Sequence, residues 1–135
     1  MHAKMEVVIL WITILSSCIN RNHESSFNNI KRGEIDFLDT IHHFDIIHKD
    51  NPIDSFDFKF VNTGESLLAV IDAKTSCNCT KIHFSREPIQ PGDTSYIRVI
   101  YDGKGRNSEF FAKTVIVYTS ASKEFVRLHI NGQIQ

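Results

Sequence analysis

Two cysteines separated by one residue, in Thr75-Ser76-Cys77-Asn78-Cys79-Thr80, carry the most evident chemistry in this chain. In an extended strand, positions i and i+2 point to one face with Cα atoms roughly 6.5–7 Å apart, at or beyond the reach of an unstrained disulfide. A turn or bulge at Asn78 shortens that gap, and Asn tolerates left-handed backbone better than most residues. The pair can therefore close a small, easily reduced disulfide. It can instead offer two thiolates to a soft metal such as copper(I), with His83 as a third ligand if the chain folds back. The spacing fixes no fourth ligand, and the reading preferred here is a structural pair at a strand end.

The third cysteine does different work. Residues 1–18, MHAKMEVVILWITILSSC, hold an apolar run from Val7 to Leu15. That run is too short to span a bilayer, which takes about twenty residues, and has the length of a signal-peptide core. It ends in Leu15-Ser16-Ser17-Cys18, which looks like a bacterial lipobox, so Cys18 is expected to become the acylated first residue of a membrane-tethered protein. Residues 1–17 then leave as a lipoprotein signal peptide. Ile19 follows the cysteine, so the aspartate that retains some lipoproteins at the inner membrane is absent. No acidic run is there to suggest surface export. The expected location is the outer membrane, facing the periplasm.

Other candidate chemistry is thinner. His42, His43 and His48 cluster in His42-His43-Phe44-Asp45-Ile46-Ile47-His48. In a regular strand His42 shares a face with Phe44, Ile46 and His48. Nothing there matches the spacing of a catalytic zinc site. No serine sits in a Gly-x-Ser-x-Gly elbow, and Gly103-x-Gly105 lacks the third glycine and following helix of a nucleotide loop. The segment Asp102–Asn107 reads as a hairpin turn. No catalytic residue and no cofactor is expected, and the chain is read as non-enzymatic.

The elements that position these groups are strands. Asn20–Lys31 is polar, and residues 18–32 read as the lipidated N-terminus and a flexible tether. From Gly33 onward the texture turns to short β-branched and aromatic runs broken by Gly, Pro, Asn and Asp, which defines a domain over 33–135. In Ser55-Phe56-Asp57-Phe58-Lys59-Phe60-Val61, three phenylalanines fall on one face and Asp57 and Lys59 on the other, as in a sheet buried on one side. Asn62-Thr63-Gly64-Glu65 supplies turn chemistry, and Leu67–Ala73 reads as a returning strand. Lys81–Phe84 is a short edge-like piece. Pro88 and Pro91 exclude a central strand between them, because each lacks a ladder donor. Thr94–Tyr101, Glu109–Thr119 and Phe125–Ile134 follow as strands, with Ile35–Phe37 and Ile41–Ile47 upstream. About seven strands spaced by turns point to an all-β, antiparallel β-sandwich.

Removing the leader leaves roughly 120 residues, enough for one domain that buries about two-thirds of its unfolded surface. The net charge of −1 argues against nucleic acid as a partner. The lone Trp, Trp11, leaves with the leader, so the core must be built on the chain's ten Phe and three Tyr.

Several signals in order give a family resemblance. Phe58-x-Phe60-x-Asn62-Thr63-Gly64 is followed by Thr75-Ser76-Cys77-x-Cys79-Thr80 and Pro88-Ile89-x-Pro91-Gly92. Then come Ile97-x-Val99-x-Tyr101, Phe111-x-Lys113-x-Val115-x-Val117 and Leu128-x-Ile130-x-Gly132, with His43-Phe44-Asp45-x-Ile47 upstream. Together they resemble the domain-of-unknown-function family DUF1573, found in lipoproteins of the Bacteroidetes type. The chain departs from that pattern at Asn78, where glycine is usual, at Ser108, where Gly is common, and at Ala121, where Asn is common. The resemblance implies an immunoglobulin-like sandwich similar to major sperm protein and pilus-chaperone domains, with no established activity. The function expected from the whole is a lipid-anchored cell-envelope protein whose sandwich binds or scaffolds an envelope protein or glycan. The alternative is a copper(I)-binding or thiol-redox protein using Cys77 and Cys79.

Overall fold

A computed structural model describes residues 31–135. Cys18, the leader and most of the tether lie outside the described residues. Eight strands appear in order: β1 (Ile35–Phe37), β2 (Ile41–Ile47), β3 (Ile53–Asn62), β4 (Val70–Thr75), β5 (Thr80–Phe84), β6 (Thr94–Asp102), β7 (Glu109–Thr119) and β8 (Phe125–Ile134). They form two four-stranded sheets, ordered β1-β3-β6-β5 and β2-β8-β7-β4. We call these sheets A and B. All pairings are antiparallel except β2 with β8, which run parallel. The fold is an immunoglobulin-like all-β sandwich.

The inner faces follow from period-two alternation. In β3, Phe58 and Phe60 are fully buried while Lys59 is exposed. Ile97 and Val99 in β6, the register partners of Phe58 and Phe56, are also fully buried. Sheet B contributes Val115, Val117, Leu128, Ile130 and Ile134 from the facing side. At one end of the sandwich Tyr101 of β6 stacks flat on Phe111 of β7, with ring centroids 3.7 Å apart and planes 5° from parallel. Gly132 lies behind that stack, where an added Cβ would come within 2.9 Å of the Phe111 ring and 3.0 Å of Phe44.

The structure corrects three local expectations. Leu67–Ala73 does not return beside β3: Leu68 bridges to Ile89, and the strand begins at Val70 and pairs with β7 in the other sheet. Asp102–Asn107 is not a hairpin turn but a crossing, because β6 belongs to sheet A and β7 to sheet B. Gly105 in that crossing has φ of 73°, the left-handed region that glycine enters without steric cost. In β2 the register shifts between His43 and Ile46. This bulge turns Ile47, rather than Ile46, toward the core, so Ile46 and His48 are exposed and do not share the face of His42.

Candidate functional site

Cys77 and Cys79 sit in the turn between β4 and β5, where the chain passes from sheet B to sheet A. The Thr75 hydroxyl accepts from the Cys77 amide, and the Thr80 amide donates to the Cys77 carbonyl at 3.0 Å, which closes the turn. The fold thereby brings the Cα atoms to 5.1 Å, well inside disulfide range, and joins the two sulfurs. Cys79 is buried in the core and Cys77 is half-buried against it.

The pair has a cationic neighbour that the sequence did not announce. Arg106, in the β6–β7 crossing, donates from Nη2 toward Cys77 Sγ at 3.7 Å and from Nη1 to Glu109 Oε1 at 2.9 Å. The Glu109 hydrogen bond holds the guanidinium firmly protonated. Tyr101 lies nearby in β6 with its hydroxyl buried and, among the described residues, unpartnered. Burial pushes that phenol up from its ordinary value, and Arg106 partly opposes the rise.

His83 does not join this group. Thr80, Ile82 and Phe84 of β5 face inward, while Lys81 and His83 alternate to the exposed side. There His83 stands opposite Arg98. Arg98 in turn makes a bidentate pair with Asp57, both bonds 2.7 Å, which lowers the Asp57 pKa from its ordinary value. Among the described residues no three His, Cys, Asp or Glu side chains come close enough together to hold a metal.

Of the other histidines, His42 is the one built into the structure. Its ring stacks on Phe56 of the opposite sheet, centroids 3.7 Å apart, and meets Phe44 edge-on at 4.6 Å. Burial lowers its pKa, with Asp54 opposing. His43 points outward and hydrogen-bonds Asn131.

The Asn-Thr-Gly and Pro-Gly signals prove to be one structural device. The fully buried Asn62 side chain accepts at Oδ1 from the amides of Glu34 (3.2 Å) and Gly64 (3.0 Å). Its Nδ2 donates to the carbonyls of Ser66 (2.8 Å) and Ile89 (2.9 Å). Its backbone carbonyl accepts from Gly92 at 2.7 Å, which ties in the Pro91-Gly92 turn. Gly64 must lack a side chain, since a Cβ would come within 2.4 Å of the Arg32 carbonyl and the Glu34 amide.

The two outer faces differ. Sheet A presents Lys81, His83, Arg98, Asp57 and Lys59, a charged stretch flanked by the exposed Tyr96 and Ile53. Sheet B presents exposed apolar side chains on the two strands that flank β8: Ile46 and Phe110 stand on either side of Gln133, with Ile41 two rows away beside His129. Phe110 is 80% exposed, Ile41 53% and Ile46 48%. Farther along, Phe125 and Tyr118 face the same way, with Arg127 and Lys74 over their rings at 4.8 and 5.5 Å. Sequence reading missed this face because the β2 bulge, which turns Ile46 outward, depends on pairing with β8.

Comparison with known proteins agrees with the fold. A family model described as "Protein of unknown function (DUF1573)" matches residues 35–134. No curated protein matches. Among solved structures, the chain is similar to a protein of unknown function from Porphyromonas gingivalis W83, with 14% identity, a TM-score of 0.65 and 76% of this chain covered. It spans 47% of that protein. The ASH/PapD-like domain 7 of human CEP192 is matched at 9% identity and TM-score 0.57, covering 88% of this chain and 98% of that one. The secreted serine protease VesC of Vibrio cholerae is matched at 9% identity and TM-score 0.54, covering 74% of this chain and 23% of that one. At these identities the likeness is one of fold.

Proposed function

We propose, for a chain that belongs to the DUF1573 family, a non-enzymatic role as a lipid-anchored cell-envelope protein of the Bacteroidetes type whose sandwich binds or scaffolds another envelope component. The observation that carries the reading is the set of exposed apolar side chains Ile41, Ile46 and Phe110 on the outer face of sheet B, the last 80% exposed. Large apolar side chains left exposed on one face are a mark of docking sites. The lipobox-like Leu15-Ser16-Ser17-Cys18 supports the lipid anchor, and Ile19 after the cysteine, with no acidic run following, supports the outer membrane, facing the periplasm. The Porphyromonas likeness lends the Bacteroidetes assignment loose support. The partner is an envelope protein or glycan.

The alternative, a protein dedicated to copper(I) binding or thiol redox through Cys77 and Cys79, is not favoured. Joined to each other, the sulfurs offer copper(I) no thiolate pair, and His83 is on the far side of β5.

Photocrosslinking in intact cells tests the reading. A photoreactive residue at Phe110 is expected to give a discrete adduct that the same residue at Lys59, on sheet A, does not. Equal labelling from both faces, or turnover of glycan, ester or peptide substrates by the purified protein, overturns it.

A further inference from the structure

The geometry points to Cys77 as the sulfur through which an external dithiol enters and reduces the Cys77–Cys79 bond, with Cys79 as the buried leaving sulfur and Arg106 stabilising the Cys77 thiolate released when the mixed disulfide resolves. The two sulfurs are unequal in access and in field. Cys77 is half-buried and Cys79 is buried, so an incoming thiolate reaches Cys77 first. Arg106 Nη2 stands 3.7 Å from Cys77 Sγ, whereas Cys79 Sγ has the neutral Thr80 hydroxyl beside it at 3.7 Å. A cation next to one sulfur raises its thiolate fraction.

Other charges near the turn follow from topology: Lys74 of β4 leads into it, Lys81 of β5 leads out, and Asp102, Glu109 and Lys113 lie on the strands paired with these two. Arg106 is the charged group among them in contact with a cysteine sulfur. Glu109 occupies its other amine, moderating its charge while fixing its aim.

The exchange proceeds in two displacements. A thiolate of the dithiol, its proton lost to solvent, attacks Cys77 Sγ. The bond to Cys79 breaks, and its electron pair leaves on Cys79 Sγ, which takes a proton from water. The reagent's second thiol then loses its proton to solvent and attacks its own sulfur in the mixed disulfide. Cys77 departs as a thiolate beside Arg106. The dithiol has been oxidised to a disulfide and the protein pair reduced, two electrons in all. The exchange is stoichiometric, and it adds to the docking role without depending on it.

The test uses the full chain isolated from cells in detergent, reduced with dithiothreitol under native conditions and alkylated with iodoacetamide, with each cysteine followed by peptide mass. Cys77 is expected to react faster than Cys79 at pH 7. Arg106→Gln is expected to slow Cys77 about tenfold, the effect of one unit in thiol ionisation, and Arg106→Lys to restore most of the rate. At pH 10, where the thiols are ionised anyway, wild type and Arg106→Gln should react alike, which separates charge from altered access. Glu109→Gln, which frees the guanidinium, should speed Cys77 at pH 7. The inference is overturned if native protein resists dithiothreitol, if Cys79 reacts first, or if Arg106→Gln leaves the pH 7 rate unchanged or slows pH 10 equally.

Discussion

Replacing Asn62 by aspartate preserves the side chain's shape and removes both of its donors. In the native protein those donors reach the carbonyls of Ser66 and Ile89 at 2.8 and 2.9 Å, inside a site with no solvent exposure. Asn62→Asp turns an oxygen toward both carbonyls, takes from Ser66 its donor at about 1–3 kcal/mol, leaves the Ile89 carbonyl with the Leu68 amide alone, and buries a carboxylate, which is the larger cost. The two amides of Glu34 and Gly64 keep their acceptor, which offsets part of the charge penalty. The expected net loss is about 3–5 kcal/mol, a large share of the roughly 5–15 kcal/mol of a typical domain. Urea unfolding followed by circular dichroism measures it, with an unchanged slope indicating that the folded state is otherwise intact. A second signature is the pH dependence. Burial raises the folded-state pKa of the new carboxyl above its unfolded value, so the variant regains part of its deficit as pH falls through the folded value toward the unfolded one. Once protonated, the carboxyl can donate to one of the two carbonyls. A loss below about 1 kcal/mol, or a deficit that does not shrink between pH 8 and pH 5, refutes the assignment of Asn62 as the hub of this end of the sandwich.

Three further outcomes are expected. Gly64→Ala should cost at least about 2 kcal/mol, because the backbone atoms of Arg32 and Glu34 that its Cβ meets cannot swing away; a urea midpoint within error of wild type would contradict this. His42 titrates below its ordinary value when folded, so the unfolded chain takes up a proton first as pH falls from about 6.5. Wild type should thus lose stability relative to His42→Phe below that pH and not above it, as urea midpoints at pH 7.5 and 5.5 would reveal. Phe110→Ser, at an exposed position outside the core, should change stability by less than about 0.5 kcal/mol and weaken partner capture; a large drop in melting temperature would mean that Phe110 serves packing instead.

Much of the fold was legible because it rests on local alternation. Phe56, Phe58 and Phe60 declared one face of β3, and the paired prolines kept the β5–β6 segment out of a central strand. Sheet membership was not legible. The turns after β3 and after β6 carry ordinary turn residues, yet both cross to the other sheet, and that choice is made by partners far along the chain. The site divides in the same way. Cys77 and Cys79 stood out by spacing alone. Arg106 is 29 residues from Cys77 and sits in a Gly-rich segment whose composition suggested only a turn. The Asn62 motif was visible as a turn, while its buried bond to Ile89, 27 residues away, appears only once the loops are packed.

The proposed anchor would set the compartment in which the apolar side chains of sheet B and the Cys77–Cys79 bond operate, so the most direct measurement is the intact mass of the protein isolated from its native cells. The account expects a chain beginning at Cys18 and carrying acyl groups. A product that retains residues 1–17 and bears no acyl chain would contradict it.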